Sequence, residues 1–194
     1  MNLGREKIIE EAVELFKVKG YLGTSVQDLA NKLGFTKAAL YYYIQSKEEV
    51  LWEIVDQTMC TAERRMETLM QQEMPVLERL KQIIYNQILN VQDDAPYMTI
   101  FFNEKVHLSP EKLAIIHARQ RNYEESIATV IRQGIAEGVL EPVDALLTAY
   151  GILGMINWII YWFDPKGTCK PEEIAELYVG IILRGIVKEK AQSV

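Results

Sequence analysis

The amino-acid sequence predicts an all-α protein in which a small N-terminal three-helix module, built around a helix-turn-helix, precedes a larger helical domain. Three observations lead there. Apolar residues recur at the helical period in every long stretch, and no segment alternates as a half-buried strand does. Helix-start signals crowd into roughly the first fifty residues, whereas the later periodic segments are longer. Charge is uneven as well: residues 1–50 hold seven bases and seven acids, and residues 51–194 hold fourteen and twenty.

Taken in order, the first helix runs from Arg5 to Lys19, with Ile8, Ile9, Ala12, Val13, Leu15 and Phe16 on one face and Gly20 as its C-cap. Thr24 followed by Gln27 predicts a capping box for a second helix, along which Val26, Leu29, Ala30 and Leu33 recur on one side before Gly34 ends it. Thr36 caps a third helix over Lys37 to Tyr43, and Ser46 with Glu49 opens a long fourth helix. Later helices are expected over Val76–Val91, Tyr97–Glu104, Pro110–Glu137, Val143–Phe163 and Pro171–Glu189, several with proline at or just before the start.

Composition excludes whole classes. With 49% hydrophobic and 25% charged residues among 194, the chain is neither disordered nor collagen-like, and two cysteines make no disulfide scaffold. Cys60 and Cys169 lack the close partners of a zinc or redox motif and read as free thiols. The N-terminus shows no basic segment leading into an apolar one, so a cytoplasmic location is expected. Ala145 to Phe163 is nineteen residues without a charge, but Thr148, Tyr150, Asn157 and several glycines dilute it and no basic cluster flanks it, so no membrane association is expected. There is no phosphate-binding Gly-rich loop, no nucleophile elbow and no metal-spaced cluster; His107 and His117 share no helical turn. Neither an enzyme, a cofactor nor a metal site is expected.

Residues 24–44 have the spacing of a helix-turn-helix, with Ala30 small enough for close helix approach and Gly34 able to take the positive φ of the turn. Val26, Leu29, Leu33, Leu40 and Ile44 are expected to point inward onto Leu15 and Phe16. What remains outward on the third helix is Thr36, Lys37, Ala38, Tyr41, Tyr42 and Tyr43, a set suited to a major groove. Lys and Tyr reach phosphates, while Thr and Ala read base edges or a thymine methyl. Lys47, and the free N–H groups of the helices that start near Thr24, Ser25 and Ser46, are further candidates for phosphate. The alternative is a helical ligand-binding or interaction protein without DNA-binding activity, which leaves the placement of Lys37, Tyr41 and Lys47 unexplained.

Residues 12–51 resemble the N-terminal domain of TetR-type (TetR/AcrR) transcriptional regulators. The resemblance rests on Ala12, Leu15, Phe16, Gly20 and Tyr21, then Thr24-Ser25-Val26, Leu29-Ala30, Leu33-Gly34-Phe35-Thr36, Leu40-Tyr41-Tyr42-Tyr43-Ile44 and Lys47-Glu48-Glu49-Val50-Leu51. It implies that the third helix is the recognition helix, that Lys47 contacts phosphate, and that residues 1–47 form a DNA-binding domain on a ligand-binding and dimerising domain of residues 48–194. Tyr43 stands where the family often has histidine and Ile44 where it has phenylalanine, so base preference does not carry over.

In the larger domain the two most apolar late helices, with Gly151, Gly154, Gly180 and Gly185 permitting close approach, suggest a homodimer interface. A two-fold protein would place two recognition helices one turn apart and select a palindromic double-stranded operator. Met98, Phe101, Phe102, Tyr123, Trp158, Tyr161 and Trp162 suit an apolar effector cavity, with Asn157, Arg119 and Arg121 as polar anchors. Asn157-Trp158, Tyr161-Trp162-Phe163-Asp164-Pro165 and Pro171-Glu172-Glu173-Ile174-Ala175 resemble the late segment of TetR-type repressors of fatty-acid or sterol breakdown, which release DNA on binding acyl-CoA thioesters. That resemblance implies a repressor freed from its operator by a small hydrophobic effector, with an acyl-CoA as the candidate, and Arg119 or Arg121 at the CoA phosphates.

Overall fold

The computed structural model describes residues 3–188, and within them it is helical. The order is α1 (Leu3–Gly23), α2 (Val26–Leu33), α3 (Lys37–Tyr41), α4 (Lys47–Met70), α5 (Val76–Leu89), α6 (Val91–Glu104), a 3-10 turn (Lys105–His107), α7 (Pro110–Ala136), α8 (Ala145–Asn157), a second 3-10 turn (Trp158–Tyr161) and α9 (Pro171–Ile186). Among the described residues the sole β-type pairing is an isolated bridge between Leu140 and Val187. No helix among them is long and apolar enough to cross a membrane.

Packing divides the chain into two compact units, Met1–Thr61 with Asp94–Ala118, and Ala62–Asp93 with Arg119–Val194. The first unit buries Ile8, Ala12 and Phe16 of α1, Leu29 and Ala30 of α2, Leu40 of α3, Ile44, and Val50, Leu51 and Ile54 of α4. Each fully buried Leu, Ile or Phe contributes roughly 1.5–3 kcal/mol, so α2 and α3, which are too short to persist alone, are held by this face. In the second unit α5 packs against both α8 and α9. One core gathers Leu80, Ile83, Ile84 and Ile88 of α5, Ile127 and Ile131 of α7, Ile152 and Ile156 of α8, and Ile174, Ile182 and Ile186 of α9.

Several elements differ from their sequence expectation for identifiable reasons. The N-cap of α2 is Ser25, not Thr24, and its capping box closes with Asp28, not Gln27. Thr24 is excluded because it is almost fully buried and its hydroxyl donates to the Gly20 carbonyl at 2.9 Å. That carbonyl belongs to the kink in α1, where Gly20 takes φ +71°. The third helix ends at Tyr41, two residues early. Val26, Leu33 and Leu15 are half-buried where Leu29, Leu40, Ile44 and Phe16 are fully so. α6 starts at Val91 instead of Tyr97, carrying Pro96 inside it at the cost of one main-chain hydrogen bond. The long apolar segment from Val143 breaks at Asn157 into the 3-10 turn of Trp158–Tyr161. α9 ends at Ile186, and Glu189, its expected end, lies outside the described residues.

The first unit depends on carboxylates that acid removes. Glu48 of α4 accepts the Ser109 N–H at 3.0 Å and meets Lys112 Nζ at 3.1 Å, both from the start of α7. These partners hold its pKa below the usual carboxylate value, and the Lys19 ammonium with the Ser25 hydroxyl and N–H does the same for Asp28. A depressed folded pKa adds stability above the unfolded value, about 4 for these groups, and the gain is lost as pH falls below it. Melting temperature is therefore expected to fall modestly and progressively as pH drops below about 5, the loss continuing down to the depressed folded values of these groups. Glu48→Gln should lower melting at neutral pH and flatten this acid limb; an unchanged limb would show that the Glu48 contacts contribute nothing.

Candidate nucleic-acid interface

The α2–α3 corner is fixed by backbone chemistry before any ligand is involved. Ser25 Oγ accepts the Asp28 N–H at 3.0 Å while the Asp28 carboxylate accepts the Ser25 N–H at 2.8 Å, satisfying two donors at the head of α2. At the other end Gly34 adopts φ +69°, a conformation that costs a side-chain-bearing residue about 1 kcal/mol or more. The Phe35 N–H then returns to the Ala30 carbonyl at 2.9 Å, closing the helix end. Thr36 caps α3 by accepting the Ala39 N–H at 3.1 Å.

This corner presents α3 with one side buried and the other open. Leu40 is fully buried, whereas Thr36, Lys37, Ala38, Ala39, Tyr41 and Tyr42 are exposed. Tyr42 is 84% exposed, a large aromatic that core packing does not use. Lys37 Nζ stands 6.0 Å from the Tyr41 ring, so a cation and two phenols share this face. Tyr43 differs: it is half-buried, stacked on Phe35 with ring centroids 5.9 Å apart and edge-on to Tyr42. Ser25 is exposed beside the corner, while Thr24 is turned into the protein.

Lys47 is held inward. Its ammonium donates to the Tyr21 and Thr24 carbonyls, each at 2.7 Å, and lies 4.1 Å from the Tyr21 ring centroid. Burial lowers its pKa, with the nearby Glu104 carboxylate opposing that shift. The cation thus bridges a carbonyl of the last turn of α1 and the Thr24 carbonyl just before α2, and so holds the junction from which α2 leaves. Tyr21 also stacks on His107 at 5.4 Å, and Glu104 Oε2 stands 3.5 Å from His107 Nε2. The end of α6 and its 3-10 turn therefore grip the same corner that Lys47 caps.

Arg5 escapes sequence reasoning and is central to the same geometry. Its guanidinium meets Glu49 at 2.6 Å and Glu53 at 2.9 Å on α4, and donates to the Tyr43 carbonyl at 2.8 Å. One side chain thereby ties the start of α1, the end of the recognition segment and the start of α4. The only sequence trace of it is the i, i+4 spacing of Glu49 and Glu53, which needs a basic partner from another helix.

The expected effector residues fall in two places. Met98, Phe101 and Phe102 are on α6 in the first unit, with Phe101 buried and Lys105 Nζ 4.6 Å from its ring. The others are in the second unit. Arg119 is engaged by Glu63, at 2.9 Å through Nε and 2.5 Å through Nη2. Arg121 is exposed. Tyr123 is half-buried, and desolvation of its phenol pushes the pKa up to about 12, so it stays neutral. Asn157 has a buried Oδ1 without a hydrogen-bond partner. Trp158, Tyr161 and Trp162 are exposed on the surface of the second 3-10 turn.

A capped turn that offers one face of a short helix to solvent, on a head whose own packing does not need that face, defines a helix-turn-helix DNA-binding protein. The chain belongs to the TetR family of bacterial regulatory proteins: residues 8–54 match the family's N-terminal model and residues 73–186 match the tetracyclin repressor-like C-terminal domain. It is similar to the TetR family transcriptional regulator PfmR from Thermus thermophilus, with 36% identity, coverage of 92% of this chain and 97% of that one, and a TM-score of 0.85. The structure of AibR in complex with isovaleryl coenzyme A and operator DNA is 34% identical, covering 91% and 96%, with a TM-score of 0.84. The HTH-type transcriptional repressor KstR2 of Mycobacterium tuberculosis is 25% identical over 191 residues, covering 97% of this chain and 96% of the relative; its structure superposes with a TM-score of 0.91. The protein is a DNA-binding transcriptional regulator of the repressor type, and not an enzyme.

Proposed function

We propose that the protein is a cytoplasmic, homodimeric repressor that holds a palindromic operator and leaves it when a hydrophobic effector, an acyl-CoA thioester, binds the larger domain. The observation that carries the DNA part is the exposed face of α3 from Thr36 to Tyr42 on a corner fixed by Gly34. Lys37, Tyr41 and Tyr42 contact phosphates, and Thr36 and Ala38 meet base edges. Ser25, at the head of α2, and Tyr43 flank this set. Lys47 acts by holding the corner, and residues 1–47 form the reading head of a ligand-binding and dimerising body of residues 48–194.

Dimerisation is supported by the surface of α8 and α9. Leu147, Tyr150, Trp158, Tyr161 and Trp162 follow one side of α8 and its 3-10 extension, and Leu177 and Ile181 follow one side of α9, all exposed. Seven large apolar side chains on two adjoining helices are more than a monomer normally leaves in water. Glycines strengthen the case. Among the described residues, nothing apart from the neighbouring residues and the backbone of the same helix comes within 4 Å of a Cβ placed at Gly151, Gly154, Gly180 or Gly185, yet each helical glycine costs about 0.5–1 kcal/mol relative to alanine. Close approach by a second copy explains both.

The effector class is supported by the similarity to AibR, which was crystallised with isovaleryl coenzyme A, and by the half-buried Tyr123 and the buried, unpartnered Oδ1 of Asn157 in the second unit. The effector shifts the population toward a spacing of the two heads that no longer fits adjacent major grooves. The test is selection of bound duplexes from a random-sequence library, repeated with acyl-CoA present. A palindromic site that is enriched alone and lost with acyl-CoA is the expected result. A site indifferent to acyl-CoA would sink the effector class, and no enrichment would leave a helical interaction protein.

A further inference from the structure

Two amide oxygens in the second unit, Gln87 Oε1 and Asn157 Oδ1, are buried without any hydrogen-bond partner. Native proteins rarely leave such groups unmet, because an orphaned acceptor forfeits its hydration and gains nothing in return. Gln87 sits in the last turn of α5 between the buried Ile84 and Ile88, and Asn157 ends α8 just after the buried Ile156. These helices pack together, and the isoleucines belong to one core. Apolar residues would serve that core better, so packing does not account for either amide. Arg79 Nε is also buried without a partner, but its Nη2 already donates to the Gln72 carbonyl, and it lies about 12 Å along α5 from Gln87 at the helical rise.

We propose that Gln87 and Asn157 are effector-anchoring residues whose amide oxygens accept hydrogen bonds from the amide N–H groups of the pantetheine arm of an acyl-CoA. This rests on the acyl-CoA effector proposed above and names the part of it that these residues hold. The chemistry selects that part: two acceptors need donors, which a fatty-acid carboxylate and a phosphate lack at neutral pH, whereas the pantetheine arm carries two amide N–H groups and a hydroxyl. The neutral Tyr123 phenol supplies a donor suited to the thioester carbonyl. The neighbouring core is apolar, with Ile83, Ile84 and Ile156 buried in it and Met155 packed against it, which is the environment an acyl chain requires.

The experiment uses the full chain, its Gln87→Met variant and its Asn157→Leu variant, with melting and affinity measured against butyryl-, octanoyl- and palmitoyl-CoA, CoA and free palmitate. Each variant removes an orphaned acceptor at nearly constant volume, so the free protein should melt at the same temperature or roughly 2–4 °C higher. Each should bind acyl-CoA about five- to tenfold more weakly, with any binding of free palmitate unchanged. Equal acyl-CoA affinity in all three proteins would overturn the anchoring role alone. A lower melting temperature in either variant would also overturn it, since the amide would then be satisfied within the protein. Absence of any response of the unaltered protein to acyl-CoA or CoA would overturn it together with the effector class, while leaving operator selection intact.

Discussion

The double variant Leu177→Glu, Ile181→Glu is expected to be a folded monomer that has lost its operator. Both side chains lie on the exposed side of α9, at 60% and 50% exposure, while Ile174, Ile182, Leu183 and Ile186 on the other side hold the helix to its own core. The substitution should therefore leave melting of the free chain within about 1 kcal/mol of its original stability, as exposed positions usually do. In a two-fold assembly four apolar side chains leave the interface at about 1.5 kcal/mol or more each, roughly 6 kcal/mol together, with carboxylates facing each other besides. Light scattering at micromolar concentration should give the mass of one chain. Operator affinity should fall toward the non-specific level, roughly a thousandfold or more, because each head then meets its half-site alone. A variant that remains dimeric would place the interface elsewhere.

The second large effect is expected at Lys47. Lys47→Met keeps the length of the side chain but strips the donors from two carbonyls that the ammonium caps at 2.7 Å. Hydrogen bonds from a charged group are worth about 1.5–3 kcal/mol each. Part is recovered from water, so a loss of roughly 2–3 kcal/mol in stability is expected, and operator affinity should fall about tenfold or more as the α2 angle loosens. Salt dependence separates this role from a phosphate contact. Removing a phosphate-binding cation lowers the slope of log K against log salt by about 1. Lys37→Ala, at an exposed cation on the recognition face, should do so. Lys47→Met should leave the slope unchanged; a fall of about 1 would show that Lys47 leaves its carbonyls to bind DNA.

How legible all this was in the sequence depends on what decides each feature. Gly34, the Thr36 cap and the burial of Leu29, Leu40 and Ile44 follow from local rules of backbone and period, and the structure has them as expected. The outward face from Thr36 to Tyr42 followed once those inward residues were fixed. The α2 cap was ambiguous because Thr24 with Gln27 and Ser25 with Asp28 both satisfy the capping pattern; burial of Thr24 against Gly20 decides it, which is a tertiary fact. Lys47 reads as a cation near a groove, and only the fold reveals that two carbonyls of the α1–α2 turn lie within its reach. Trp158, Tyr161 and Trp162 read as pocket or core because apolar character does not say which surface will cover it; they are exposed. Pro96 stands just before the helix start that the sequence predicts at Tyr97, yet α6 carries it inside, because neighbouring packing outweighs the one lost hydrogen bond.

The most direct measurement of whether this chain reads DNA as a two-fold repressor is the native mass of its complex on the selected duplex, with intact and half-scrambled sites. Two chains per duplex are expected, with affinity collapsing when one half-site is scrambled and free duplex appearing when acyl-CoA is added. One chain per duplex, bound equally well to the half-scrambled site, would contradict it.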